Sequence, residues 1–220
     1  MDQLFTAILI LHIVSGGTGL ITGTINLIRR KGDKLHNQIG LGFTYAMISA
    51  GASAIVLSMM HPNYFLFIVG VFTLYMVSTG YRYIRLRLEG IDNGPKTLDW
   101  VLTGSMGIAG ICFILFGGWQ LYMKSNFGTV LLVFGAIGIL MVRSDLNNYK
   151  GKAAERNYWL LAHLQRMTGA YIASLTAFLV VNMDRLPSFI PGILFWLLPT
   201  AVLTPMIIFW SRKYRQGVRL

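Results

Sequence analysis

Four histidines and a few arginines carry most of the chemistry this chain could perform. His163 and Arg166 are three residues apart in an apolar run, which puts both on one helix face continued by Ala170 and Ser174. His36 stands at the start of another apolar run, next to Gln38, as His163 stands beside Gln165. Two neutral imidazoles facing each other at one depth are what a six-coordinate b-type haem needs, with His36 and His163 as the metal ligands. Arg82 and Arg166 would then draw the propionates by charge-assisted hydrogen bonds, and Gln38 and Gln165 would flank the pair. His12 shares a face with Gly16, Gly19 and Gly23, where small side chains would admit a flat macrocycle. His61 is its one obvious partner, a third of a membrane away in depth, so a second haem is the weaker idea.

Each of these residues also has a plainer reading. Ser15, Gly19 and Gly23 are spaced by four, the pattern that lets helices pack closely. His36 adjoins a basic loop and reads equally as an interfacial residue, and His61 before Pro62 reads as a turn residue. Arg166 resists such a reading most, its plain alternative being a structural bond to backbone carbonyls. It lies about ten residues into its run, deeper than snorkelling allows, and an ionisable side chain at that depth marks a functional site by default. No Asp or Glu falls at the middle of an apolar run, with Asp99 and Asp145 at the ends, which speaks against a carboxylate proton relay.

The elements that must position these side chains are membrane spans. The 220 residues are 55% hydrophobic and only 12% charged, against about 25% charged in soluble domains. Seven apolar segments, roughly 4–28, 38–60, 64–88, 99–122, 127–143, 157–182 and 190–210, can each cross a core of about 30 Å as a helix, the fifth near the lower limit. The expected fold is an all-α bundle forming one seven-helix domain over residues 1–220. Met1-Asp2-Gln3 offers no basic n-region, so the first segment is expected to stay as a helix. The single cysteine, Cys112, allows no disulfide framework.

Loop charge sets the orientation. Arg29, Arg30, Lys31 and Lys34 follow the first segment, and Arg82, Arg85, Arg87 and Lys96 surround the third connection. Arg143, Lys150, Lys152 and Arg156 follow the fifth segment, and Arg212, Lys213, Arg215 and Arg219 the seventh. The other side holds Lys124 and Arg185. Such alternation places the N-terminus outside and the C-terminus in the cytoplasm. The net charge of +11 would suit nucleic acid, but basic residues in short clusters between apolar runs exclude a nucleic-acid reader. The partner they imply is the lipid bilayer.

Sliding the chain against itself by 127 residues puts His36 on His163, Gln38 on Gln165 and Gly42 on Gly169. An offset of 125 pairs Pro62 with Pro187, Asn63 with Ser188, Thr79 with Thr204 and Arg87 with Arg212. These matches suggest a parallel three-plus-one-plus-three repeat, 1–90 and 125–220 with connector helix 99–122, against chance likeness of apolar helices.

Several chemistries are absent. No Lys lies within a span to form a retinal Schiff base, and there is no zinc motif, phosphate loop or serine triad. The stretches Lys34-Leu35-His36 to Ser58, His61 to Phe67 and Thr79-Gly80-Tyr81-Arg82 resemble a family of bacterial polytopic membrane proteins known only as a domain of unknown function. The stretch from Trp159 to Asn182, with His163, Arg166, Met167, Gly169, Tyr171, Ile172 and Ala173, is also similar to it. The resemblance implies the bacterial cytoplasmic (inner) membrane, and it carries no reaction and no functional residue with it. Three readings of function stay open. One is a haem b redox protein passing electrons to or from a quinone or a protein partner. The second is a small-solute transporter with its site at the repeat interface. The third is a non-catalytic accessory membrane subunit or receptor.

Overall fold

A run of apolar residues surrounded by hydrocarbon must bond its own backbone, and each of the seven expected segments does so as a helix. The computed structural model describes residues 2–89, 94–153, 155, 157–187 and 189–215. Arg156, Ser188 and Arg219, used above for charge and repeat, lie outside the described residues, as does the side chain of Arg87. The helices are α1 (Asp2–Ile28), α2 (Lys34–Met60), α3 (Tyr64–Glu89), α4 (Thr97–Tyr122), α5 (Phe127–Tyr149), α6 (Tyr158–Val181) and α7 (Gly192–Arg215), with a 3-10 turn at Met183–Arg185. Among the described residues seven helices are long and apolar enough to cross a membrane. The protein is therefore an all-α, multi-pass membrane protein.

Several helices outrun their apolar segments. α5 continues six residues past Arg143 because Asp145 on its extension is buried and Tyr149 packs on Trp100 of α4, ring centroids 5.3 Å apart. α7 runs on through Arg212 and Lys213 because Ser211 and Tyr214 remain buried, Tyr214 in a cluster with Leu161 and Leu164 of α6. Hydropathy ends at the first charges, whereas a helix ends where its buried face ends.

The chain packs as two units. One holds α1, α2, α3 as far as Tyr83, α6 and α7, and the other holds residues 84–158 with α4 and α5.

In the first unit, α1 buries only Ser15, Gly19 and Gly23, the stripe spaced by four. A side chain at Gly19 would collide with Met47 of α2, and one at Gly23 with Phe43 of α2 and Tyr171 of α6. The stripe is thus a packing face against two helices, while Ile10, Ile13, Val14 and Ile21 stay exposed for lipid. In the second unit, α4 and α5 touch backbone to backbone. A Cβ on Gly117 would lie 2.9 Å from the Gly128 carbonyl oxygen, and one on Gly135 would lie 2.9 Å from that of Gly110. Small residues drive such contact where lipid removes the hydrophobic force between helices.

The two helices of this hairpin end alike. At the end of α4, Ser125 N–H donates to Gln120 C=O (2.8 Å) and Lys124 N–H to Leu121 C=O (2.9 Å), with Lys124 left-handed at φ +61°. At the end of α5, Lys152 N–H donates to Asn147 C=O (2.9 Å) and Gly151 N–H to Asn148 C=O (3.1 Å), with Gly151 at φ +68°. Both are the six-to-one and five-to-two cap that favours glycine at the left-handed position. Lys124 supplies a Cβ where glycine has none, which costs about 1 kcal/mol net of chain entropy. Lys124→Gly is expected to raise unfolding stability in detergent by up to about 1 kcal/mol. An unchanged or lowered midpoint would show that the turn is not strained.

Candidate functional site

The polar centre of the first unit joins α3 to α6. His163 Nδ1 lies 2.9 Å from the Gly80 carbonyl oxygen. A carbonyl only accepts, so Nδ1 carries the proton and Nε2 of the neutral ring keeps its lone pair. Glycine at position 80 lets the helices approach, because a Cβ there would stand 3.2 Å from the Arg166 Cβ.

One turn deeper, Arg166 Nη1 donates to Thr79 Oγ1 at 2.6 Å, and Thr79 Oγ1 in turn donates to the Tyr75 carbonyl at 2.6 Å. The guanidinium also stands 5.0 Å and 5.3 Å from the ring centroids of Tyr75 and Tyr83. Arg166 is 4% exposed, and Thr79, Tyr75 and Tyr83 are all buried. A desolvated cation over an aromatic face gains about 2 kcal/mol or more, and a hydrogen bond to a charged group about 1.5–3 kcal/mol. The hydroxyl passes Arg166's bond on to the backbone, so α6 is tied to α3 through a side-chain relay.

His36 occupies the first turn of α2. Its backbone N–H donates to Asp33 Oδ1 at 2.6 Å, the cap of that helix, and its ring Nδ1 is buried with no hydrogen-bond partner. His36, in the first turn of α2, and His163, near the start of α6, both belong to the first unit. Gln38 is exposed, and Gln165 is exposed with its amide 3.4 Å from Ser211 Oγ on α7. Arg82 is half-buried near the end of α3.

The weaker pair stays apart. His12 Nδ1 lies 3.0 Å from the Ala50 carbonyl oxygen and 3.2 Å from Ser53 Oγ, which fastens α1 to α2. His61 is exposed, its ring edge-on to Phe5 with centroids 4.4 Å apart. Phe5 precedes His12 by seven residues, about 10 Å along the helix, too far for both rings to hold one iron.

A b-type haem between His36 and His163 can be tested against these residues. The donor set fits: two imidazoles, one with Nδ1 anchored to a backbone carbonyl as metal-bound histidines usually are, and one with an orphaned buried nitrogen. Toward the middle of the helices Gly23, Phe43 and Tyr171 meet, and Tyr171 OH lies 2.7 Å from Thr24 Oγ1. Phe43 lies seven residues along α2 from His36, and Tyr171 eight along α6 from His163, about 10–12 Å in each case. Arg166 Nη1 is engaged by Thr79 and its guanidinium stands over two rings, which gives this side chain a structural role between α3 and α6. Among the described residues no group of three or more His, Cys, Asp or Glu is placed to hold a metal ion.

Sequence reasoning missed a second polar cluster, inside the α4–α5 unit. Asp99 and Asp145 lie toward helix ends, as the sequence places them, and are 1% and 0% exposed. Thr103 Oγ1 donates to Asp145 Oδ2 at 3.2 Å and lies 3.1 Å from Tyr149 OH. Asp99 Oδ2 accepts the Lys96 backbone N–H at 2.9 Å, and Tyr149 OH reaches the Asp99 carbonyl at 3.5 Å. The signal was present in the spacing: Asp99 and Thr103, like Asp145 and Tyr149, are four apart, so each pair shares a helix face.

No family model, curated protein or solved structure matches the chain.

Outside the spans, the His36 N–H bond and the neighbouring Arg29, 3.0 Å away, hold the Asp33 carboxyl below its ordinary range. A depressed carboxylate stabilises the fold above its unfolded pKa of about 4, and that contribution disappears as pH falls through the folded value. Asp33→Asn keeps a capping oxygen and removes the charge. Acidification below about pH 4 should therefore destabilise the wild type more than the variant. Identical acid profiles would show that Asp33 carries none of the acid sensitivity.

Proposed function

We propose that this is a multi-pass protein of a bacterial cytoplasmic membrane, N-terminus outside, whose His36 and His163 bind the iron of one b-type haem for electron transfer with a quinone or a protein partner. The observation that carries the reading is the state of the two rings. Gly80 fixes His163 in the tautomer whose Nε2 can ligate, and no protein group binds the buried Nδ1 of His36, which leaves the orientation of that ring to a ligand. When bound, the haem supplies one-electron chemistry. The chain's own part is to hold two imidazoles at one depth on α2 and α6, with α3 as the strut. Arg166 sets the distance from α3 to α6 and does not touch the cofactor.

A second reading is favoured by the completeness of the tethers at His12, Arg166 and Thr79. The chain would then be a non-catalytic membrane subunit in which polar side chains only fasten helices. A small-solute transporter with its site at a three-plus-one-plus-three interface is the third reading.

The deciding experiment is a dithionite-reduced minus air-oxidised absorbance spectrum of protein made in haem-supplied cells. Sharp α and Soret bands at near-stoichiometric haem are expected, with both lost in His36→Ala and His163→Ala protein that still inserts and folds. A flat spectrum from folded wild type, or bands unchanged in both variants, would overturn the haem reading and leave the structural one.

A further inference from the structure

Among the described residues, three buried side-chain polar atoms have no hydrogen-bond partner: Asn26 Oδ1, Arg29 Nε and His36 Nδ1. All three belong to one corner, where α1 ends and α2 begins. Asn26 Nδ2 donates to the His36 carbonyl at 3.2 Å, Arg29 Nη2 to Asp33 Oδ2 at 3.0 Å, and the His36 N–H to Asp33 Oδ1 at 2.6 Å. The three orphaned atoms are therefore held by a single bonded network. A buried polar atom without a partner costs roughly 1–3 kcal/mol, so three in one place call for an occupant.

The position narrows the choice. The spans end at Ile28 and resume at Lys34, which sets the corner at the boundary between hydrocarbon and headgroups. Its outer flank is apolar, with Ile25, Ile28 and Leu35 exposed, and Ile28 is 83% exposed. Its charge is positive: Arg29, Arg30, Lys31 and Lys34 surround the one carboxylate, Asp33, whose two oxygens are already taken. Lys31 is turned inward. Its Nζ donates to the Asn26, Leu27 and Arg29 carbonyls and stands 4.4 Å from the Trp210 ring centroid, so it closes the end of α1 and leaves the seat to Arg29.

We propose that Asn26, Arg29 and His36 seat the headgroup of an anionic phospholipid that carries a hydroxyl. Arg29 Nε–H and the Nδ1–H of the neutral His36 ring donate to the phosphate oxygens, and Asn26 Oδ1 accepts from the headgroup hydroxyl. The acyl chains lie along Ile25, Ile28 and Leu35. Basic residues beside a span attract anionic lipid in general. The orphaned atoms give this corner a shape-specific seat in addition. The seat shares His36 with the haem reading and takes only its Nδ1–H, so that ligation of iron by this ring falls to Nε2, while Asn26 and Arg29 take no part in holding haem.

The test uses delipidated full-length protein in detergent, titrated with phosphatidylglycerol, phosphatidylcholine or inorganic phosphate and read by native mass spectrometry. Phosphatidylglycerol should be retained in preference to the other two. Arg29→Gln and Asn26→Leu should each weaken retention about tenfold, the loss of roughly one charged or well-placed hydrogen bond, whereas Arg30→Gln, which removes the same charge from an exposed neighbour, should not. Equal retention of the two lipids, binding of free phosphate without lipid preference, or equal loss in Arg29→Gln and Arg30→Gln would overturn the seat. Should Arg29→Gln fail to fold, Asn26→Leu decides the matter alone. The absorbance of Arg29→Gln protein reads the haem proposal separately.

Discussion

A guanidinium in the core of a bilayer has no water to turn to, so the protein must supply every partner it keeps. Arg166 meets that demand on α3, through the Thr79 hydroxyl and the faces of Tyr75 and Tyr83. The rest of the first unit is arranged around this tie. Gly80 is small because α3 and α6 must come within reach of each other. Thr79 is placed to accept from Arg166 while donating to its own helix. One turn toward the basic side, the carbonyl of Gly80 fixes the tautomer of His163. The position of the imidazole thus follows from where the arginine is anchored.

The same requirement explains features that look unrelated. Hydroxyls inside the spans return to the carbonyl one turn back, as Thr22, Thr44 and Ser174 do, and so add no unsatisfied group. His12 reaches across to α2 instead. In the α4–α5 unit the buried carboxylates Asp99 and Asp145 are met by the Lys96 backbone and by Thr103. Glycines let the two backbones close to contact distance beneath them. The corner at Asn26, Arg29 and His36 stands out because there, among the described residues, three atoms remain without a protein partner.

Much of this was legible in the sequence. Apolar length alone placed all seven helices, because a membrane leaves an apolar segment no other structure. The stripe Ser15, Gly19, Gly23 was readable as a packing face. What was not legible depends on backbone partners. Nothing in the residue types says that His163 will take the carbonyl of a glycine 83 positions away, or that Arg166 will be absorbed by Thr79 and two tyrosines instead of facing a ligand. Helix ends were misjudged where charged residues stay helical by packing, as at Asp145 and Tyr214. The acids at 99 and 145 were discounted because position along a span was taken as a measure of depth, whereas burial there is set by the neighbouring helix.

The account stands on the claim that Arg166 ties α6 to α3 through Thr79, and a double-mutant cycle with Arg166→Met and Thr79→Val measures that tie directly. Unfolding of the four proteins in one detergent should show each single change destabilising and the pair coupled by about 1–2 kcal/mol, at the upper end for interhelical hydrogen bonds because one partner is charged. Effects that add to within about 0.5 kcal/mol would contradict it, because the two side chains would then act independently.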